Sequence, residues 1–324
     1  MAAATRLIVL MILLSTSDAI RAQAPTAQPS SSQQADSNET SQARFSRLAI
    51  NGAVFIYRTA PDPCAPMPPP TVLLPLGSGF VVGIASTDAT PQQWNGWKFL
   101  VTAKHVLANQ NSVIVRVNAV KGPMFICKTL DLHSSGAETN EVLGPDGVDL
   151  VALALPNIDG ADPTVVPIEL LLDESQMKTL NIGPGTQVVT VGYLFGYSGE
   201  KANFPVIKFG HVSAVSDESW FYDASTGLSE QGYVVDLPNA PGLSGAPVFS
   251  YGVDFDMTAG FRYRELPPYV VGVVKDLLLA PVGQQQIMIS QGVAVIEPGP
   301  NLKVLMKKVS DELKAGGGKV KDVH

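Results

Sequence analysis

General bases are scarce in this chain: histidine occurs four times, at positions 105, 133, 211 and 324. His324 ends the sequence, a position prone to fraying. His133 lies in the polar stretch LDLHSSGAE and His211 in the strand-like run KFGHVSAV, where a solvated imidazole and an ordinary strand residue are the simplest readings. His105 differs, because it follows the apolar run KFLVTAK and opens HVLANQ, a short helical turn after a strand. An imidazole placed there can act as a base if a carboxylate fixes its tautomer and stabilises the imidazolium. Asp149 suits that role, since in GPDGVDLVALALP it stands at the mouth of a six-residue apolar run and its desolvation must be offset by partners. Asp146, in the preceding Gly/Pro turn, is accounted for by turn chemistry.

A base of this kind needs a nucleophile, and PGLSGAPVF supplies Ser244 between two glycines. Small residues cluster in turns for backbone reasons alone. Beside His105 and Asp149, however, the glycines take on a second use: they permit the φ values and close approach that aim backbone N–H groups at a developing oxyanion. The amides of Gly242 and Ser244 would be the donors, with Leu243 between them turned away. The three residues together are equipped for nucleophilic acyl transfer.

These side chains lie 44 and 95 positions apart, so a fold must bring them together. The 324 residues are 45% hydrophobic and 16% charged, enough apolar material for one large or two small cores. With 29 Gly, 25 Pro and many short Val/Ile-rich runs, an all-β fold is expected. From Phe45 onward LAINGAVFIYRT, TVLLPLGSGFVVGIAS, WKFLVTA, SVIVRVNAV, MFICKTL and DLVALALP read as six strands. After NIDGADPTVVPIEL six more follow: TQVVTVGYLFG, VIKFGHVSAV, GYVVDLP, APVFSY, YVVGVVKDLLL and GVAVIEPG. Two similar halves are expected, at 45–160 and 161–315. Leu302, Leu305, Met306, Val309 and Leu313 then recur at helical spacing, with Pro300 and Asn301 as start and cap and Gly316–Gly318 as the stop, so a closing helix should pack on the sheets. Residues 316–324 are read as a flexible tail.

The net charge of −7 disfavours a surface for phosphate backbones, and nucleic acid is not an expected partner. Arg6, the apolar run Leu7–Leu14 and the small residues after it have the layout of a secretory signal, assigned to 1–22. A secreted or periplasmic location follows, with no stable membrane insertion expected after signal removal. Residues 23–44, Ser/Gln-rich and nearly free of large apolar side chains, read as a disordered linker. Cys64 and Cys127 are an even pair in an exported chain, so a disulfide between them and two separate thiols are both open. No metal or organic cofactor is implied.

The order His105, Asp149, Ser244 is that of chymotrypsin-type enzymes, and the local sequences agree. VTAKHV resembles the family's V-T-A-A-H-C, DLVALAL its D-I-A-L-L-K-L, and GLSGAPV its G-D-S-G-G-P. GSGFVV, GYLFG with GHVSAV, and VVGVV also match in order, so the resemblance spans about residues 45–310. The chain is identified as similar to trypsin-like serine proteases, closer to the bacterial secreted group related to the protease domain of HtrA (Deg) enzymes than to animal digestive enzymes, though without space for PDZ domains. Leu243 stands where the animal enzymes carry the Asp that pairs with a new N-terminus, and Val106 where they carry a disulfide cysteine. Activation by N-terminal cleavage is therefore not expected. The resemblance implies two six-stranded antiparallel β-barrels with the site in the cleft between them. It also puts Pro238 at the base of the first substrate pocket, with the strand carrying Val274 as a wall and Gly292 opposite. The uncharged base implies a small or apolar side chain before the cut bond. A serine endopeptidase acting on protein or peptide through an acyl-enzyme is the expected function. The alternatives are a catalytically silent trypsin-like scaffold that binds protein or peptide, and an esterase or amidase for small molecules.

Overall fold

Strands dominate the computed structural model, which describes residues 50–58, 74–85, 96–122, 124–132, 141–161, 163–195, 197–216, 218, 221–223, 228–238, 240–251, 253–256, 262–265, 267–282 and 287–315. The expected signal (1–22), linker (23–44) and tail (316–324) lie outside these residues, as do Cys64, His133 and His324.

The first half contains β1 (Ala53–Arg58), β2 (Pro75–Ala85), β3 (Gly96–Thr102), the single turn α1 (Lys104–Leu107), β4 (Ser112–Asn118), β5 (Phe125–Asp131), β6 (Glu141–Leu143), β7 (Val151–Ala154) and β8 (Val165–Pro167). They form one sheet in the order β5-β4-β1-β2-β3-β7-β6, with β8 running parallel to β2. The sequence led us to expect a closed barrel of six. Among the described residues it is an eight-stranded half-barrel sheet, consistent with a double-barrel fold, and the two additional strands β6 and β8 have three residues each, too few to show a hydrophobic period. β8 also carries this sheet past residue 160.

A six-residue helix α2 (Glu174–Thr179), closed by a capping box between Asp173 and Gln176, leads into the second half. There β9 (Gln187–Gly192), β10 (Val206–Ala214), β11 (Phe221–Asp223), β12 (Leu228–Glu230), β13 (Tyr233–Asp236), β14 (Pro247–Ser250), β15 (Val253–Asp256), β16 (Arg262–Glu265), β17 (Val270–Val282) and β18 (Ile287–Pro298) follow. β10-β13-β18-β17-β14-β9 close a six-stranded barrel built from the six runs read in the sequence, while β11–β12 and β15–β16 are separate two-stranded sheets.

The long apolar runs have a reason: most central strands are buried on both faces. In β1, Val54 and Ile56 point into the first half's own core with Val81, Leu100, Val113 and Val115. Phe55 and Tyr57, one residue out of phase, point the other way. They enter a second core shared with Val189, Val191 and Tyr193 of the other half. A third core, including Val235, Leu243, Val274 and Ile296, fills the closed barrel. Helix α3 (Gly299–Ala315) caps the shared core, burying Leu302, Leu305, Met306, Val309 and Leu313 as its spacing required. Asn301 is not the cap expected from sequence; it lies inside the first turn and donates its amide to Glu297 Oε1 (2.7 Å).

Polar contacts also fasten the two halves. Asn203 N–H donates to Asn118 Oδ1 (2.7 Å) and its amide to the Arg116 carbonyl (2.7 Å). Arg116, itself buried, donates to the Gly199 carbonyl (2.6 Å) while its guanidinium lies 3.6 Å over the Phe125 ring.

Candidate active site

α1 is a single turn held by burial of Val106 and Leu107, which leaves the preceding His105 turned outward. The imidazole is about half exposed, and Nδ1 lies 2.7 Å from Asp149 Oδ2. The other carboxylate oxygen, Oδ1, accepts the His105 backbone N–H at 2.9 Å. Asp149 thus spends both oxygens on one residue, and its own carbonyl accepts the Lys104 N–H (3.3 Å). It stands two residues before β7.

Burial alone would push the His105 pKa down. The hydrogen bond and charge of Asp149, with a smaller contribution from Asp276, outweigh burial and the opposing charge of Lys275, leaving the imidazole above its ordinary value.

The Ser244 segment is shaped by two glycines of positive φ, Gly242 (+103°) and Gly245 (+86°). A side chain at Gly245 would collide with the Ser78 carbonyl and the Thr102 hydroxyl, and one at Gly242 would lie 2.8 Å from the Phe195 ring. Between them Leu243 is fully buried in the barrel core and acts as an anchor. N–H groups alternate in their use along this stretch. Leu243 donates to the Ala240 carbonyl (3.3 Å) and Gly245 to the Val274 carbonyl (2.8 Å). The N–H groups of Gly242 and Ser244 have no acceptor among the described residues. These are the two amides read from sequence as oxyanion donors.

What fastens this loop to the first half is Ser78, a residue the sequence reading passed over. Its N–H donates to the Ser244 carbonyl (2.8 Å), its hydroxyl donates to the Gly242 carbonyl and accepts the Tyr193 N–H (both 2.7 Å), and its own carbonyl accepts the Thr102 hydroxyl (2.7 Å). Gly77 beside it leaves room for both the Ser244 carbonyl and Val106, whose neighbour is His105. The serine loop and the histidine turn are therefore packed on the same strand, β2. A hydroxyl flanked by glycines in an otherwise apolar run, GSGFVV, was the available signal.

Beneath Asp149 lies a further group. Glu297 accepts the Asp149 N–H at Oε2 (3.2 Å), and Lys275 Nζ stands 3.5 Å from the same oxygen, with both side chains at most 3% exposed. Burial pushes Glu297 up in pKa; the charge of Lys275, the Asn301 amide and the Asp149 N–H act against it, and the charge of Asp149 adds to it. Lys275 and Glu297 were visible as charges inside apolar runs, VVGVVKDLLL and GVAVIEPG, and such charges are seldom buried without a partner.

The residues read from sequence as a substrate pocket differ in exposure. Pro238 and Gly292 are exposed, the latter at φ +77°, whereas Val274 is 1% exposed and packs in the core of the closed barrel. His211 is an exposed strand residue of β10, opposite Asp236. Cys127 is disulfide-bonded. Among the described residues no cluster of His, Cys, Asp or Glu is arranged to hold a metal, and no helix is long and apolar enough to cross a membrane.

A family model described as trypsin-like peptidase domain matches residues 77–253. Similar solved structures include the HtrA-type protease AlgW with decapeptide (18% identity, 84% of this chain and 68% of that one, TM-score 0.46). Others are the MamO protease domain from Magnetospirillum magneticum (14%, 81% and 98%, 0.47) and the active form of Rv3671c protease from M. tuberculosis (18%, 93% and 94%, 0.44). No curated protein matches the chain.

Proposed function

The chain belongs to the trypsin-like peptidase family, and on that premise we propose that it is a serine endopeptidase in which Ser244, His105 and Asp149 act together. The observation that carries this reading is the paired hydrogen bonding of His105 to Asp149, ring and backbone at once. With Nδ1–H donated to the carboxylate, the lone pair lies on Nε2, the nitrogen that takes the Ser244 hydroxyl proton as Oγ attacks the scissile carbonyl. The amides of Gly242 and Ser244 receive the oxyanion. Collapse breaks the C–N bond, and the departing amine takes the proton from Nε2. Water then hydrolyses the acyl-enzyme by the same route in reverse, regenerating Ser244.

Protein or peptide is the substrate class, and the first pocket takes a small or apolar side chain, a reading supported by the absence of charge at Pro238. The N-terminal Arg6 and the apolar run after it support export to the periplasm or beyond.

A fluorophosphonate probe tests the nucleophile. The wild type is expected to be labelled and Ser244→Ala not, with casein turnover falling by about 10⁶ in the variant. A variant that still digests casein at the wild-type rate, contaminating protease excluded, rules the assignment out. Labelling without casein digestion would point to a small-molecule esterase, and no labelling to a silent scaffold. Cleavage-site profiling on a mixed peptide pool tests the pocket, and a preference for Lys or Arg before the cut bond refutes it.

A further inference from the structure

Lys275 and Glu297 form a buried ion pair that takes no direct part in the proposed reaction. Such a pair is a poor stabiliser, because well-packed apolar residues of similar volume hold a core as well or better. What apolar residues cannot supply is an acceptor, and Glu297 Oε2 gives one to the backbone N–H of Asp149 at 3.2 Å. We propose that the Lys275–Glu297 pair is a positioning element for Asp149, reaching it from the closed barrel and tied through Asn301 to the C-terminal helix. This inference rests on the reading of His105, Asp149 and Ser244 as the working residues.

The local structure is built for the task. The pairing of β17 with β18 slips between Val274 and Asp276, which makes Lys275 a bulge residue, and bulges re-aim side chains. Lys275 Nζ there stands beside Glu297 Oε2, while Glu297 Oε1 accepts the Asn301 amide at 2.7 Å. The peptide groups flanking Asp149 are then held from two sides. Glu297 takes its N–H, and its carbonyl takes the Lys104 N–H from the turn that carries His105. With the main chain so fixed, the carboxylate can serve the His105 ring and backbone together. Lys275 supplies the balancing charge, without which Glu297 would set a second buried carboxylate against Asp149. The charges that act on His105 are those of Asp149, Asp276 and Lys275; those that act on Glu297 are Lys275 and Asp149, with the Asn301 amide hydrogen-bonded to it.

The test uses the full chain and the rate of fluorophosphonate labelling as a function of pH, with peptide kcat and KM alongside. Glu297→Ala is expected to slow labelling and kcat by about tenfold to a hundredfold with KM little changed, since a slightly misplaced catalytic group costs that much. Its acid limb should move to lower pH as the imidazole loses an oriented carboxylate, an effect a purely structural role would not produce. The double variant Lys275→Met/Glu297→Gln, which keeps an acceptor and leaves no unpaired buried charge, should recover most of the rate. Should Glu297→Ala fail to fold, Asn301→Ala decides, with a smaller slowing and the same direction of pH shift expected. A folded Glu297→Ala or Asn301→Ala that labels at the wild-type rate across the pH range overturns the proposal. An unlabelled wild type would instead overturn the reading of the site beneath it.

Discussion

Replacing Asp149 by Asn changes one atom and removes one charge, yet the geometry makes the outcome specific. Oδ1 accepts the His105 backbone N–H at 2.9 Å, and that position suits the amide carbonyl of Asn but not its NH₂. The NH₂ is thereby placed where Oδ2 now stands, 2.7 Å from Nδ1. It donates to Nδ1, so the ring proton moves to Nε2 and the nitrogen that should accept the Ser244 proton is blocked. The expected loss is that of a wrong tautomer, about 10⁴ in kcat or about 5.5 kcal/mol of barrier. The pH profile should shift as well. His105 must be neutral to act, and Asp149 raises its pKa through both hydrogen bond and charge. The acid limb of the wild type therefore lies above the ordinary histidine value, and in Asp149→Asn it moves down. Labelling rate and kcat/KM measured across the pH range check both effects. A variant within about tenfold of wild type, or one whose acid limb stays in place, refutes the tautomer argument.

Other expectations concern what holds the site. Gly245→Ala forces a side chain at φ +86° against the Ser78 carbonyl and the Thr102 hydroxyl, and should lower stability by about 3 kcal/mol or more in denaturant melts while abolishing labelling. Wild-type stability would mean the loop is free to move. On helix α3, Leu305→Ala at a fully buried position should cost about 2–5 kcal/mol, whereas Val304→Ala at a half-exposed one should stay within about 0.5 kcal/mol. Equal effects on Tm would contradict the docking of that face on the shared core.

How much of this was legible in the sequence depends on whether a residue's neighbours are local. The six strands of the closed barrel and the buried face of α3 could be read because period and run length are local properties, and Leu243 because its glycines announce a tight turn. β6 and β8 could not, since three residues carry no period. The burial of Val274 could not be read from alternation, because β17 is irregular there: Val271 and Val274 share the barrel core while Val270 and Val273 pack in the other. His105 and Asp149 were read as partners through chemistry that demands a pair, a demand the sequence reading did not extend to Lys275 and Glu297, charges in apolar runs. What sequence did not show is that this second pair meets the first: the link is a backbone N–H, which every residue but proline carries, so no side-chain type records it. Contacts of this kind set the precision of an active site while leaving the weakest mark in the chain. That is why Ser78, through its N–H and carbonyl as much as its hydroxyl, and Glu297, through the amide of Asp149, emerge only once β2 and β18 are folded against the loops they hold.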